Sequence, residues 1–281
     1  IAMAILAEME AAPRSEVERM SAMGELALDG RLQRVNGALP GAVAAAEDRL
    51  AFACPAACGP EAALVTMAEV VAPPSLPALL NHLTGRVPLA PPEPARPGAE
   101  EEVKDLRDVR GQEKARRALE IAAAGGHNML MIGPPGVGKS MLAERLPGIL
   151  PPLEPSEALE VSMIHSVAGE FPPGRLITRR PFRSPHHTAS VASIIGGGRL
   201  AQPGEVCMGH RGVLFLDEVA EFGRPVLESL RQPLESGQTM IARANAHVRY
   251  PSRVQLIAAM NPCRCGHLAD AGRACSRAPR C

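Results

Sequence analysis

Aromatic side chains are almost missing from this chain of 281 residues: five Phe, one Tyr and no Trp amount to 2%. The 46% of hydrophobic residues must therefore build any core from Leu, Val, Ile, Ala and Met. Net charge is missing too. Thirty Lys and Arg balance thirty Asp and Glu, and the isoelectric point lies near 7.2. No global field then draws the protein to nucleic acid or to a membrane surface. Long apolar runs are absent as well. Ile1–Ala7 is apolar, far short of the roughly 20 residues of a bilayer span, and no basic segment precedes it. It reads as the middle of a helix, and with no initiator Met it suggests a piece of a longer protein. These absences predict a soluble, cytoplasmic protein with no membrane partner. There is no internal repeat, and the length suits one to two domains.

Proline and glycine are plentiful, at 28 and 26 residues. Pro88, Pro91, Pro92, Pro94 and Pro97 crowd one stretch, and Glu100, Glu101 and Glu102 follow. Such a segment is a semi-rigid exposed linker over 88–104. It divides an N-terminal domain over 1–87 from a larger domain over 105–281.

The larger domain carries the most specific motif. Gly133, Pro134, Pro135, Gly136, Val137, Gly138, Lys139 and Ser140 form a complete phosphate-binding loop. An apolar strand pattern, Asn128–Ile132, leads into it, and a helix pattern through Met141 stops at Pro147. Glycines let the backbone curve so that its N–H groups face phosphate oxygens, and the following helix adds its positive end. Lys139 reaches the β- and γ-phosphates of a nucleotide, and the Ser140 hydroxyl ligates magnesium. A second apolar run, Gly212–Leu216, ends in Asp217 and Glu218. In nucleotide-hydrolysing domains the first acid holds magnesium, and the second orients the attacking water. A third run from Arg253 ends at Asn261-Pro262, where an amide can sense the γ-phosphate; elsewhere the same pair would read as a turn.

Together these stretches carry a family resemblance. Asp105–Gln112 resembles the segment that packs around adenine in AAA+ ATPases, so Gln112 and Met141 join the predicted nucleotide contacts. Arg180–Ser190, Gly204–Glu218 and Met260–Gly266 closely resemble the magnesium-chelatase-like AAA+ branch, and within it the YifB/ComM family. The resemblance implies a P-loop AAA+ α/β domain with a parallel sheet, lacking its C-terminal lid here. It implies ATP and magnesium bound between subunits of a homo-oligomeric ring, a hexamer. The catalytic set is then Glu218, Lys139 and Asn261, with Ser140 and Asp217 on the metal. Work on DNA of the helicase or branch-migration type, during natural transformation, is the implied activity. A chelatase-type motor acting through a partner protein and a protein-remodelling chaperone are the alternatives.

Residues 1–87 resemble a truncated Lon-protease-like (ribosomal S5-like) α/β domain, through Met23–Arg31 and Gly37–Ala46. Pro40 stands where the Lon lysine would be. A proline has no amine to activate a serine, so no peptidase activity is expected.

The seven cysteines need not form disulfides. Cys54 and Cys58 read as small, partly buried residues, and Cys207 as packing. Cys263, Cys265, Cys275 and Cys281 can make a tetrahedral zinc site, although their spacing is not that of a standard knuckle. A reduced, metal-free loop is the competing reading. Arg179, Arg180, Arg183, His186 and His187 form the densest basic cluster. The resemblance implies a pore-facing hairpin there, and Leu234–Tyr250 looks like a second one. Basic groups on such hairpins suit a phosphate backbone; a metal site at the His pair lacks acidic or Cys partners nearby.

Overall fold

The computed structural model describes residues 1–97, 104–172, 175–198, 200–243, 246–263, 268 and 275. It separates into two compact units, Ile1–Ala99 with Ala158–Ile177, and Glu100–Glu157 with Thr178–Cys281.

Among the described residues, four strands make the sheet of the second unit. In spatial order they are Met129–Ile132, Gln255–Met260, Val213–Leu216 and Phe182–Arg183, and every neighbouring pair is parallel. Val213–Leu216 is buried at all four positions, as expected of an inner parallel strand covered on both faces. Val213 and Phe215 point into a core shared with Leu119, Leu142, Leu146, Ile257 and Ala259. Helix Glu113–Gly125 supplies Leu119, and helix Lys139–Ala143 supplies Leu142. Leu106 and Val109, from the predicted adenine-side segment, join the same core.

The edge strand corrects one expectation. Arg179–His187 does not make a hairpin: Phe182–Arg183 pairs parallel with Val213–Leu214, and the Phe182 ring stacks on Phe215 at 6.0 Å between centroids. Its scarce aromatic is used for packing, so the segment belongs to the sheet. Gly212 permits this approach. A Cβ there would lie 2.1 Å from the backbone oxygen of Pro181, which itself accepts from Val213 N at 2.8 Å. We expect Gly212→Ala to lower stability by at least about 1–3 kcal/mol, because backbone must shift to make room. Denaturant unfolding checks this, and an unchanged midpoint would contradict it.

Two hairpins leave the sheet's neighbourhood. Gln238–Arg243 pairs antiparallel with Ala246–Pro251, as the sequence predicts, while the turn residues Ala244 and Asn245 lie outside the described set. A shorter hairpin pairs Gly196–Gly197 with Gln202–Pro203. The two are tied together, since the Tyr250 hydroxyl donates to Ala201 O at 3.0 Å. Gly196, at φ +107°, sits where a Cβ would come 2.7 Å from Ile241 Cδ1.

In the first unit, Met20–Ala22, Ala51–Ala53 and Val70–Val71 form a parallel sheet. Helix Ala38–Glu47 packs Ala38, Ala42 and Ala45 against Phe52, Cys54 and Cys58. Both thiols are fully buried rather than partly so, and burial pushes Cys54 up to about 12, which keeps it an inert thiol. Buried Glu61 accepts from Leu39 N at 3.3 Å, at the start of that helix. Among the described residues no helix is long and apolar enough to cross a membrane.

Candidate nucleotide-binding site

Ligands of open parallel sheets gather beyond the C-terminal ends of the strands, and the predicted residues converge there. The phosphate loop follows Met129–Ile132, and its curvature requires left-handed backbone at Gly136 (φ +80°) and Gly138 (φ +90°). Glycine takes that conformation without steric cost. Gly138 also caps helix Lys139–Ala143, so the chain turns at once from loop to helix.

Lys139 is held inside the loop. Its ammonium donates to Gly133 O at 2.8 Å, to Pro134 O at 3.0 Å and to Asn261 Oδ1 at 3.0 Å. Asn261 reaches it because its strand lies between the loop strand and the acidic strand. On the other side, Ser140 Oγ donates to Asp217 Oδ2 at 2.6 Å. Residues 122 and 77 positions apart thus meet around one point. Asp217 also turns its other oxygen inward, accepting from Glu218 N at 2.9 Å. Glu218 adopts left-handed backbone at φ +51°, which sends its side chain off the line of the strand. Non-glycine residues pay for such a conformation and keep it at functional sites.

A cavity of about 320 Å³ lies among these groups, and Gly136, Lys139, Ser140, Asp217, Glu218 and Asn261 are among the residues that line it, with the predicted nucleotide contact Met141. Gln112 is placed against the loop, donating from Nε2 to Val137 O at 3.1 Å. Gly133 N bonds Met260 O at 3.3 Å, which joins loop and amide strand.

Other sequence candidates fall elsewhere. Of the four zinc-set thiols, Cys263 and Cys275 are half-buried, and Cys265 and Cys281 lie outside the described residues. Arg180 and Arg183 are braces within the second unit. Arg183 grips Glu205 with two bonds of 2.6 and 2.9 Å. Arg180 donates to Pro151 O at 2.6 Å and Arg211 O at 2.7 Å, and lies 3.3 Å from Glu157. A fork of donors on a carboxylate is the geometry that suits Arg best. His187 is the neighbour of the site that the sequence does not signal: its Nδ1 lies 3.6 Å from Glu218 Oε2. The sequence signals only a basic cluster there, because the contact spans two neighbouring strand ends.

A phosphate loop, an acidic strand end and an amide strand between them define a P-loop domain of the AAA+ class. A family profile described as magnesium chelatase, subunit ChlI, matches residues 105–281, and one described as subunit ChlI of Mg-chelatase matches 1–57. The chain is 48% identical to an uncharacterized protein of Mycobacterium tuberculosis over 94% of its length and 53% of the relative's. It is 43% identical to the uncharacterized protein YifB of Escherichia coli and 42% identical to the competence protein ComM of Haemophilus influenzae, each over 95% of this chain and 53% of the relative. It spans about half the length of the curated relatives it matches. The chain belongs to the magnesium-chelatase-like AAA+ family, in its YifB/ComM group.

Proposed function

We propose that the protein is an ATP-hydrolysing ring motor and that its polymer substrate is DNA. The observation that carries the first part is the meeting of Lys139 with Asn261 and of Ser140 with Asp217 at the ends of three adjacent strands. The donor set fits the expected ligands. A hydroxyl and a carboxylate already 2.6 Å apart are hard oxygen ligands of the kind magnesium takes. The glycines leave the loop backbone open to phosphate oxygens. Magnesium, when bound, neutralises charge on the phosphates and orients them.

The chain's own residues supply the rest. Lys139 binds phosphate oxygens as a fixed positive charge. Ser140 and Asp217 hold the metal. Glu218, at the rim, orients and polarises water, and Asn261 monitors whether the terminal phosphate is present. Gln112 steadies the loop beside the nucleotide. We place the nucleotide between subunits of a homo-oligomeric ring, taken as a hexamer. Residues 1–87 are read as a truncated Lon-like domain without peptidase activity, since Pro40 carries no amine.

The similarity to a relative named competence protein supports DNA as the substrate, in a helicase or branch-migration role during natural transformation. Since Arg180 and Arg183 are paired with acids, DNA contact is assigned to the two hairpins rather than to those arginines. ATP turnover by the full-length protein is the test. Single-stranded or branched DNA should raise it, and the effect should fade with salt because phosphate contacts release counterions. Turnover indifferent to DNA but raised by a partner protein would replace this reading with the chelatase-type motor or the chaperone.

A further inference from the structure

Helix Ala38–Glu47 of the first unit ends in an uncommon way. Arg49 N donates to Ala46 O at 3.1 Å and Leu50 N to Ala45 O at 2.9 Å. This closure holds Arg49 in left-handed backbone, at φ +59°. Glycine, or sometimes asparagine, is usual at this helix-ending position, because a larger side chain there costs stability. Arg19 stands beside it. Ala51 N donates to Arg19 O at 2.9 Å, so strands Met20–Ala22 and Ala51–Ala53 enter their sheet together, with the two arginines before their starts.

Both arginines line a cavity of about 450 Å³, within the size range of small-molecule sites. Buried Val71 and Leu83 give it an apolar wall. His82 lines it too, and its Nδ1 accepts from Leu89 N at 3.0 Å. The neutral ring then carries its proton on Nε2, as a hydrogen-bond donor. Glu16 and Glu69 complete the charged lining. Phe52 N donates to Glu69 O at 2.7 Å, which places Glu69 across Ala51–Ala53 from Arg19. Among the described residues, none of these four charged side chains makes an ion pair. Two guanidinium groups thus border one cavity with no acid in contact, and an oxyanion between them would relieve their repulsion.

We propose that this cavity binds a small organic phosphate, with the phosphate on Arg19, Arg49 and His82 and the ligand's hydroxyl groups on Glu16 and Glu69. Three terminal phosphate oxygens match three donors, where a carboxylate offers only two. The apolar wall takes the carbon body of the ligand. The site shares no residue with the phosphate loop, since its whole lining belongs to the first unit. The competing account makes Arg49 a structural cation at a helix C-terminus, where it suits the helix dipole.

The experiment titrates ribose 5-phosphate into the full-length protein by calorimetry, with ribose and inorganic phosphate as controls. Arg49→Gly, Arg19→Ala and Lys139→Ala are titrated in parallel, and each variant is melted. Arg49→Gly removes the guanidinium and relieves the backbone at once, so its melting temperature should equal or exceed that of the wild type. The ester should bind the wild type and Lys139→Ala alike, and bind Arg49→Gly and Arg19→Ala at least tenfold more weakly. Ribose should not bind, and inorganic phosphate should bind more weakly than the ester. No binding by the wild type overturns the proposal, as does undiminished binding in the two arginine variants. Loss confined to Lys139→Ala places the probe in the phosphate loop and overturns it too. Weaker binding together with a lower melting temperature in both arginine variants marks the arginines as structural. Inorganic phosphate held as tightly as the ester rules out the organic ligand.

Discussion

Glu218→Gln should retain ATP and hydrolyse it slowly. The amide keeps the size of the carboxylate and the left-handed backbone at φ +51°, so the pocket is unchanged. What disappears is the group able to take a proton from water. Positioned acid–base groups contribute roughly 10²–10⁴ in rate, and a loss of that order in kcat is expected with nucleotide affinity preserved. Single-turnover assays with labelled ATP, paired with an equilibrium binding titration, measure both quantities. Wild-type turnover in this variant would remove Glu218 from the chemistry.

Lys139→Ala should fail one step earlier, at binding. The ammonium is the positive group that the loop encloses, and it meets three oxygens within 3.0 Å. Hydrogen bonds to charged groups are worth about 1.5–3 kcal/mol, so nucleotide affinity should fall roughly ten- to a hundredfold. The loop also loses an internal brace, since Lys139 joins Gly133 and Pro134 to Asn261. A melting curve taken without nucleotide separates that loss from the loss of affinity. Wild-type affinity in a folded Lys139→Ala protein would mean that phosphates bind elsewhere. The two substitutions therefore divide the site, with Glu218 affecting rate alone and Lys139 affecting occupancy.

Much of this site is legible in the order of residues. A loop of closely spaced glycines ending in Lys-Ser has few uses other than holding phosphate, because its backbone geometry and its charge point to the same ligand. Asp217, Glu218 and Asn261 stand out because each ends an apolar run, and strand ends in parallel sheets are where ligands gather. The hairpin over 238–251 is likewise readable, since its pairing is local in the chain.

Other features were set by neighbours far away in sequence. Phe182 sits in a basic cluster that resembles a pore hairpin, yet packing against Phe215 draws it into the sheet. An edge strand of two residues is too short for alternation to reveal. Arg180 and Arg183 look like free positive charge until Glu157 and Glu205 are brought beside them. The contact of His187 with Glu218 depends on which strand lies next to which.

By itself the sequence determined which chemical groups this site can offer, because phosphate loop, acidic pair and amide are each encoded within a few consecutive residues. Only the tertiary structure decided their partners. Strand order places Asn261 between Lys139 and the acidic strand, and it places His187 on the far side of Glu218. Parallel strands are joined by long crossovers, so their lateral order depends on burying both faces of the sheet and not on any local pattern.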